Sequence, residues 1–210
     1  MKRAASLTIF VLTLLLIPVV RNQGEQYNMY LPTVAEADQR VFVGDKVALS
    51  NPMLDQQAEY VIAYHISDAI LTLEEMRYEG TIDFENGELY DQIILALGTH
   101  AVQGSDKPYA GHPNLFRQRY ARLLNTAMEN SVRVIAINIP WLNWTPDNVD
   151  RAIKWNGIIA EEAAWRNICV ADAWSVMFAC GMECIQDDGY HPNEDGYRLI
   201  AKEVAKCVDK

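Results

Sequence analysis

Basic residues are scarce in this chain: 18 Lys and Arg stand against 28 Asp and Glu, for a net charge of -10. A protein that tracks a phosphate backbone needs a basic face, so nucleic-acid binding is excluded as a main role. The glycine-rich phosphate signatures are missing too, with no P-loop and no G-x-G-x-x-G. There is no internal repeat and no low-complexity run, which excludes solenoids and disordered tracts. Cysteine is limited to Cys169, Cys180, Cys184 and Cys207, and no two of them form a C-x-x-C pair. A structural zinc site from these four is therefore disfavoured. Histidine is equally sparse: His65, His100, His112 and His191 are all there are.

What is present is apolar. Half of the 210 residues are hydrophobic and 22% are charged. That is enough for one domain with a substantial core, and too apolar for disorder. An apolar run from Ala4 to Val20 follows Lys2 and Arg3 and ends at Arg21. It is long for a signal-peptide core and short for a membrane span. Pro18-Val19-Val20-Arg21 is a poor cleavage context, which favours an uncleaved anchor with a cytoplasmic basic tip; a cleaved signal peptide is the alternative. The expected organisation is a signal peptide or anchor over 1–21, a polar tether over 22–39 and a folded domain over 40–210. The domain is then periplasmic or extracellular, touching a membrane through the N-terminal segment only. In an exported chain four cysteines suggest disulfides. Three pairings are open, and the favoured one joins Cys180 to Cys184 and Cys169 to Cys207.

Short apolar runs at 40–43, 60–63, 93–97, 134–137 and 168–170 read as strands. Helical patterns lie between them, at 68–77, 115–128 and 149–164. A last helix starts at Asn193 or Glu194, with Tyr197, Ile200, Ala201, Val204 and Ala205 on one face. Continuous apolar strands alternating with helices predict a three-layer α/β sandwich around a parallel sheet of about five strands. Ligands in such folds bind beyond the carboxyl ends of the strands.

The most specific stretch is Asp188-Gly189-Tyr190-His191-Pro192-Asn193, followed by Gly196-Tyr197-Arg198-Leu199-Ile200-Ala201. It puts an acid and an imidazole three residues apart in a turn, at the mouth of a helix. An acid can hold the imidazole in one tautomer while the ring moves protons. This string resembles the last motif block of the SGNH (GDSL-type) hydrolases, esterases whose Asp and His stand before the C-terminal helix. The resemblance covers about Arg40 to Val204 and implies the α/β sandwich described above. It also implies a serine nucleophile in a G-D-S block after the first strand. This chain has Gly44-Asp45-Lys46 there, with lysine in place of serine. The family's second block supplies a glycine that faces the oxyanion; here His65 takes that position. Its third block is G-x-N-D, and Gly98-Thr99-His100 puts His100 at the asparagine.

The loss of the serine matters chemically. A lysine amine attacks a carbonyl only after losing its proton, and the amide it forms does not hydrolyse readily. Ser50 and Ser67 are the nearest other hydroxyls, with Ser50 about one helical turn past Lys46. The histidines suggest a second chemistry: His65, His100 and His191 map to one site and could hold a metal that activates water. Lys46 opposes that reading, because a cation beside a dication is repulsive. Otherwise no cofactor is expected. Trp141 and Trp144, in the loop after the fourth strand, are candidates to stack on a sugar ring or clamp an acyl chain, or else cap the core. Asp172 and Trp174 read as packing and turn residues. Three function classes result. One is an ester hydrolase lineage acting on small-molecule or glycan acyl esters, O-acetylated glycans among them. Another is a non-catalytic scaffold that binds an envelope protein. The third is a histidine-based metal hydrolase.

Overall fold

The computed structural model describes residues 40–44, 59–63, 65–78, 90–104 and 112–208. The N-terminal apolar run, the tether, Asp45, Lys46 and Ser50 lie outside the described residues. Five strands form one sheet: β1 (Arg40–Gly44), β2 (Glu59–Ile62), β3 (Tyr90–Ala96), β4 (Ser131–Ile137) and β5 (Cys169–Ala171). Their order is β2-β1-β3-β4-β5 and every pairing is parallel. All five carboxyl ends therefore lie on one edge, and the order reverses between β1 and β3, where doubly wound sheets hold their ligands.

The helices are α1 (Ile66–Tyr78), α2 (Thr99–Gln103), α3 (Pro113–Asn130), α4 (Pro146–Trp165), α5 (Ala173–Cys180) and α6 (Glu194–Val208). A 3₁₀ turn, Gly181–Cys184, follows α5. Both faces of the sheet are covered, so the central stretches of β3 and β4, Ile93–Leu95 and Val134–Ile137, are continuously apolar, while their first residues include polar ones such as Asp91 and Arg133. Ile93 and Leu95 of β3 join one buried cluster with Leu73, Phe116, Leu123 and Trp155 from α1, α3 and α4. Ile94 points the other way, to Ile135, Ile137, and to Val204 and Cys207 of α6. Each such side chain contributes roughly 1.5–3 kcal/mol on leaving water.

Local chemistry sets the helix starts. Pro113 and Pro146 occupy the first turns of α3 and α4, where the missing N–H costs nothing. Asn193 caps α6, accepting the Gly196 N–H at 3.1 Å. α5 is an element the periodicity did not announce. Its residues are almost all apolar, so no polar face marks a 3.6-residue repeat. Asp172, expected in a turn, is its N-cap and accepts the Ser175 N–H at 3.1 Å.

Both favoured disulfides are formed. Cys169–Cys207 ties β5 to α6, and Cys180–Cys184 closes the 3₁₀ turn. Among the described residues, no helix is long and apolar enough to cross a membrane.

Candidate active site

The loop before α6 is closed on itself. Ile185 and Pro192 form an antiparallel bridge. The Gln186 N–H donates to the His191 carbonyl at 2.7 Å, and the Gly189 N–H to the Gln186 carbonyl at 2.9 Å. Gly189 has φ +73°, a conformation that L side chains resist. Inside this loop Asp188 Oδ1 accepts the N–H groups of Tyr190 and His191, at 2.9 and 3.0 Å. Its Oδ2 lies 2.5 Å from His191 Nδ1. The His191 N–H, the His191 ring and the Tyr190 N–H, in that order, hold the Asp188 carboxyl down to about 2. Asp188 is thus an anion across the neutral range. The bond to it assigns the proton to His191 Nδ1 and leaves Nε2 as an acceptor.

This loop is seated on the disulfide turn. The Asn193 N–H donates to the Cys184 carbonyl at 2.9 Å, and Asn193 Nδ2 to the Glu183 carbonyl at 2.7 Å. Gly196 lies so close that an added Cβ would be 2.6 Å from the Cys184 oxygen. On its other side the loop meets the β4–α4 connection. The Tyr190 ring packs edge-on to Trp144 at 5.5 Å and to His191 at 5.2 Å. That connection is itself pinned. Asn156 accepts the Ile139 N–H at 2.8 Å and donates to its carbonyl at 2.9 Å. Asn138 donates to Asp172 at 2.9 Å and accepts the Trp174 N–H at 2.8 Å. The Asp188–His191 pair is therefore fixed at the carboxyl edge of the sheet, the same edge as Gly44.

Two other expected positions come together. His65 follows β2, and its carbonyl accepts the N–H groups of Asp68 and Ala69 that begin α1. His100 lies in α2, just after Gly98 at the end of β3. β2 and β3 flank β1, with Gly44 in register with both Ile62 and Ala96. Strands so separated lie roughly 10 Å apart, yet the His65 and His100 ring centroids are 5.9 Å apart. The two side chains therefore reach towards each other from the segments that follow the strands on either side of β1. Gly98 has φ +129°, and an added Cβ would lie 2.8 Å from Ile139. Only glycine lets the β4–α4 connection close over this turn.

The three-histidine set is not assembled. Among the described residues, no group of three or more His, Cys, Asp or Glu side chains is placed to hold a metal ion, although His65, His100 and His191 are all described. His191 is carried by the loop that meets the β4–α4 connection through Tyr190 and Trp144, whereas His65 follows β2. Of the two uses open for Trp144, its surroundings match capping of the core. Its indole is 9% exposed and donates to the Pro140 carbonyl at 3.1 Å, so it caps the core and supports Tyr190. Trp141 is half-buried and meets the exposed Phe178 edge-on at 6.0 Å. Ser67 lies in the first turn of α1, and His112 starts α3. Asn138, Asn156 and Tyr190 were not foreseen as positioning groups. Only Tyr190, within the motif string, carried any signal; single asparagines carry none.

The GDSL-like lipase/acylhydrolase family model matches residues 90–204, from β3 into α6, without reaching Gly44-Asp45-Lys46. The chain resembles a solved lipolytic protein of the G-D-S-L family from Veillonella parvula, with a TM-score of 0.65 at 15% identity, over 82% of this chain and 98% of that one. It resembles a lipase/acylhydrolase from Enterococcus faecalis, with a TM-score of 0.61 at 17% identity, over 80% and 94%. A catalytic mutant of an acetylxylan esterase from Geobacillus stearothermophilus gives a TM-score of 0.60 at 11% identity, over 81% and 94%. No curated protein matches. The matched span covers more than half of the chain and holds Gly98, His100, Asp188 and His191, so this chain belongs to the GDSL-like lipase/acylhydrolase family.

Proposed function

We propose that this protein is an ester-hydrolase relative whose serine chemistry is lost, because Lys46 stands where the nucleophile belongs. The observation that carries the reading is the complete Asp188–His191 pair, closed at 2.5 Å, in a chain whose first block reads Gly44-Asp45-Lys46 in sequence. The substrate class that suits the lineage is an acyl ester on a small molecule or glycan, with O-acetylated glycans included; an acetylxylan esterase among the structural neighbours supports this. An N-terminal anchor or signal segment would hold the domain outside the cytoplasmic membrane. Lys46 also favours a second reading, in which the domain binds an acylated glycan or an envelope protein without turnover.

The test is labelling with a fluorophosphonate probe. The wild-type protein is expected to stay unlabelled, and Lys46→Ser to become labelled and to gain ester hydrolysis. The gain is partial, because His65 and His100 occupy the oxyanion-facing positions. Loss of one donor there costs on the order of 3 kcal/mol, roughly a hundredfold in rate. Strong wild-type labelling that survives in Lys46→Ala would sink the reading and make Ser67 the next residue to replace.

A further inference from the structure

We infer that the Asp188–His191 pair is itself a working catalyst, acting as a general base on water rather than on a serine. This rests on the reading that Lys46 has displaced the serine. Three observations support it. His191 Nδ1 is anchored to Asp188, which turns the lone pair of the neutral ring to Nε2, and Nε2 has no hydrogen-bond partner among the described residues. The ring is 29% exposed, which leaves water access to it. The backbone around it is held by the Ile185–Pro192 bridge, the Asn193 cap and the disulfide turn, so the ring is oriented before any substrate arrives.

The step balances without a covalent enzyme intermediate. Water placed against Nε2 gives a proton to the imidazole, and its oxygen forms the new bond to the acyl carbon. The tetrahedral intermediate collapses, the bond from acyl carbon to the ester oxygen breaks, and Nε2 returns the proton to the leaving alkoxide. The products are one acid and one alcohol, and the imidazole is restored. Asp188 keeps the proton on Nδ1 and stabilises the transient imidazolium. Such base catalysis is worth roughly a hundred- to ten-thousandfold, well below a full serine triad, and it suits small, unhindered acyl groups such as acetyl.

The test uses the purified full chain with 4-methylumbelliferyl acetate. We expect slow turnover that a fluorophosphonate does not inhibit and a chelator does not abolish, with no acyl-enzyme in acid-quenched intact mass spectra. His191→Gln should lower the rate by roughly a hundredfold, and Asp188→Asn should lower it as well. Circular dichroism must show both variants folded. If either is not, the wild-type pH profile decides, since a base of this kind requires the rate to rise with pH through one ionisation and then level. No turnover above buffer, in protein that is also unlabelled by the fluorophosphonate, would overturn this inference while leaving the loss of serine chemistry intact. An acetyl adduct that forms and decays at the steady-state rate, loss of activity in Ser67→Ala, or loss with chelator would also overturn it. Fluorophosphonate labelling would overturn the underlying reading instead.

Discussion

Gly196 and Gly157 both lie inside helices, yet replacing each with alanine should move stability in opposite directions. In α6 an added Cβ at Gly196 would stand 2.6 Å from the Cys184 oxygen and 3.1 Å from Met177 Cε and Sδ. The methionine end can swing aside. The carbonyl cannot easily move, because it accepts the Asn193 N–H and its residue is bonded to Cys180. Overpacking of this kind costs about 1–3 kcal/mol, against a helix-propensity gain of up to about 1 kcal/mol. The expected net loss for Gly196→Ala is about 1–2 kcal/mol. For a chain of this size that lowers Tm by roughly 2–8 °C. At Gly157 in α4 nothing lies within 4 Å of the added Cβ. Gly157→Ala should therefore be stabilising, by up to about 1 kcal/mol. Thermal and denaturant unfolding followed by circular dichroism measures both. A Gly196→Ala protein as stable as wild type would refute the reasoning that α6 is docked on the disulfide turn through a glycine-sized gap.

The two disulfides should differ in weight. The loop closed by Cys169–Cys207 spans 38 residues and that closed by Cys180–Cys184 spans 4, which gives about 4 and about 2 kcal/mol in the chain-entropy model. Paired Cys→Ala variants compared by denaturant unfolding test this, and four free thiols in the mass spectrum of non-reduced wild-type protein would show that neither bridge forms. Asp188 should shape the acid limb of stability. Its folded carboxyl is depressed to about 2, first by the His191 N–H, so its contribution is full above the ordinary carboxylate value near 3.9 and fades as pH falls towards 2. Carbon NMR of the carboxyl should show a midpoint near 2, and Asp188→Asn should flatten that part of the stability curve; a midpoint near 4 would contradict the hydrogen bonding described.

Much of this protein follows from its sequence alone. The strands centre on short apolar runs, and a stretch buried on both faces must be apolar on both, so the Ile93–Ala96 and Val134–Ile137 runs of β3 and β4 are plain in the chain. The Asp188–His191 pair is equally legible, because its spacing, Gly189, and the Asn193 cap are all local. Lys46 is a matter of sequence only. What tertiary structure decided is how remote pieces meet. Three cysteine pairings were open until β5 and α6 were placed side by side on one face of the sheet. His65 and His100 are separated by β3 in the chain, and their rings meet only because the sheet order puts β2 and β3 on either side of β1, within reach of two side chains. His191 is carried on the loop against the β4–α4 connection, so the three imidazoles that the motif resemblance mapped to one site form no metal-holding group among the described residues. Trp144 turned inward because burying an indole in the β4–α4 connection is worth more than leaving it in water. α5 was hidden because a helix apolar all round has no periodic contrast, and its surroundings, not its pattern, make it helical. Contacts between residues distant in the chain are set by where the strands lie in the sheet, and no local pattern encodes that order.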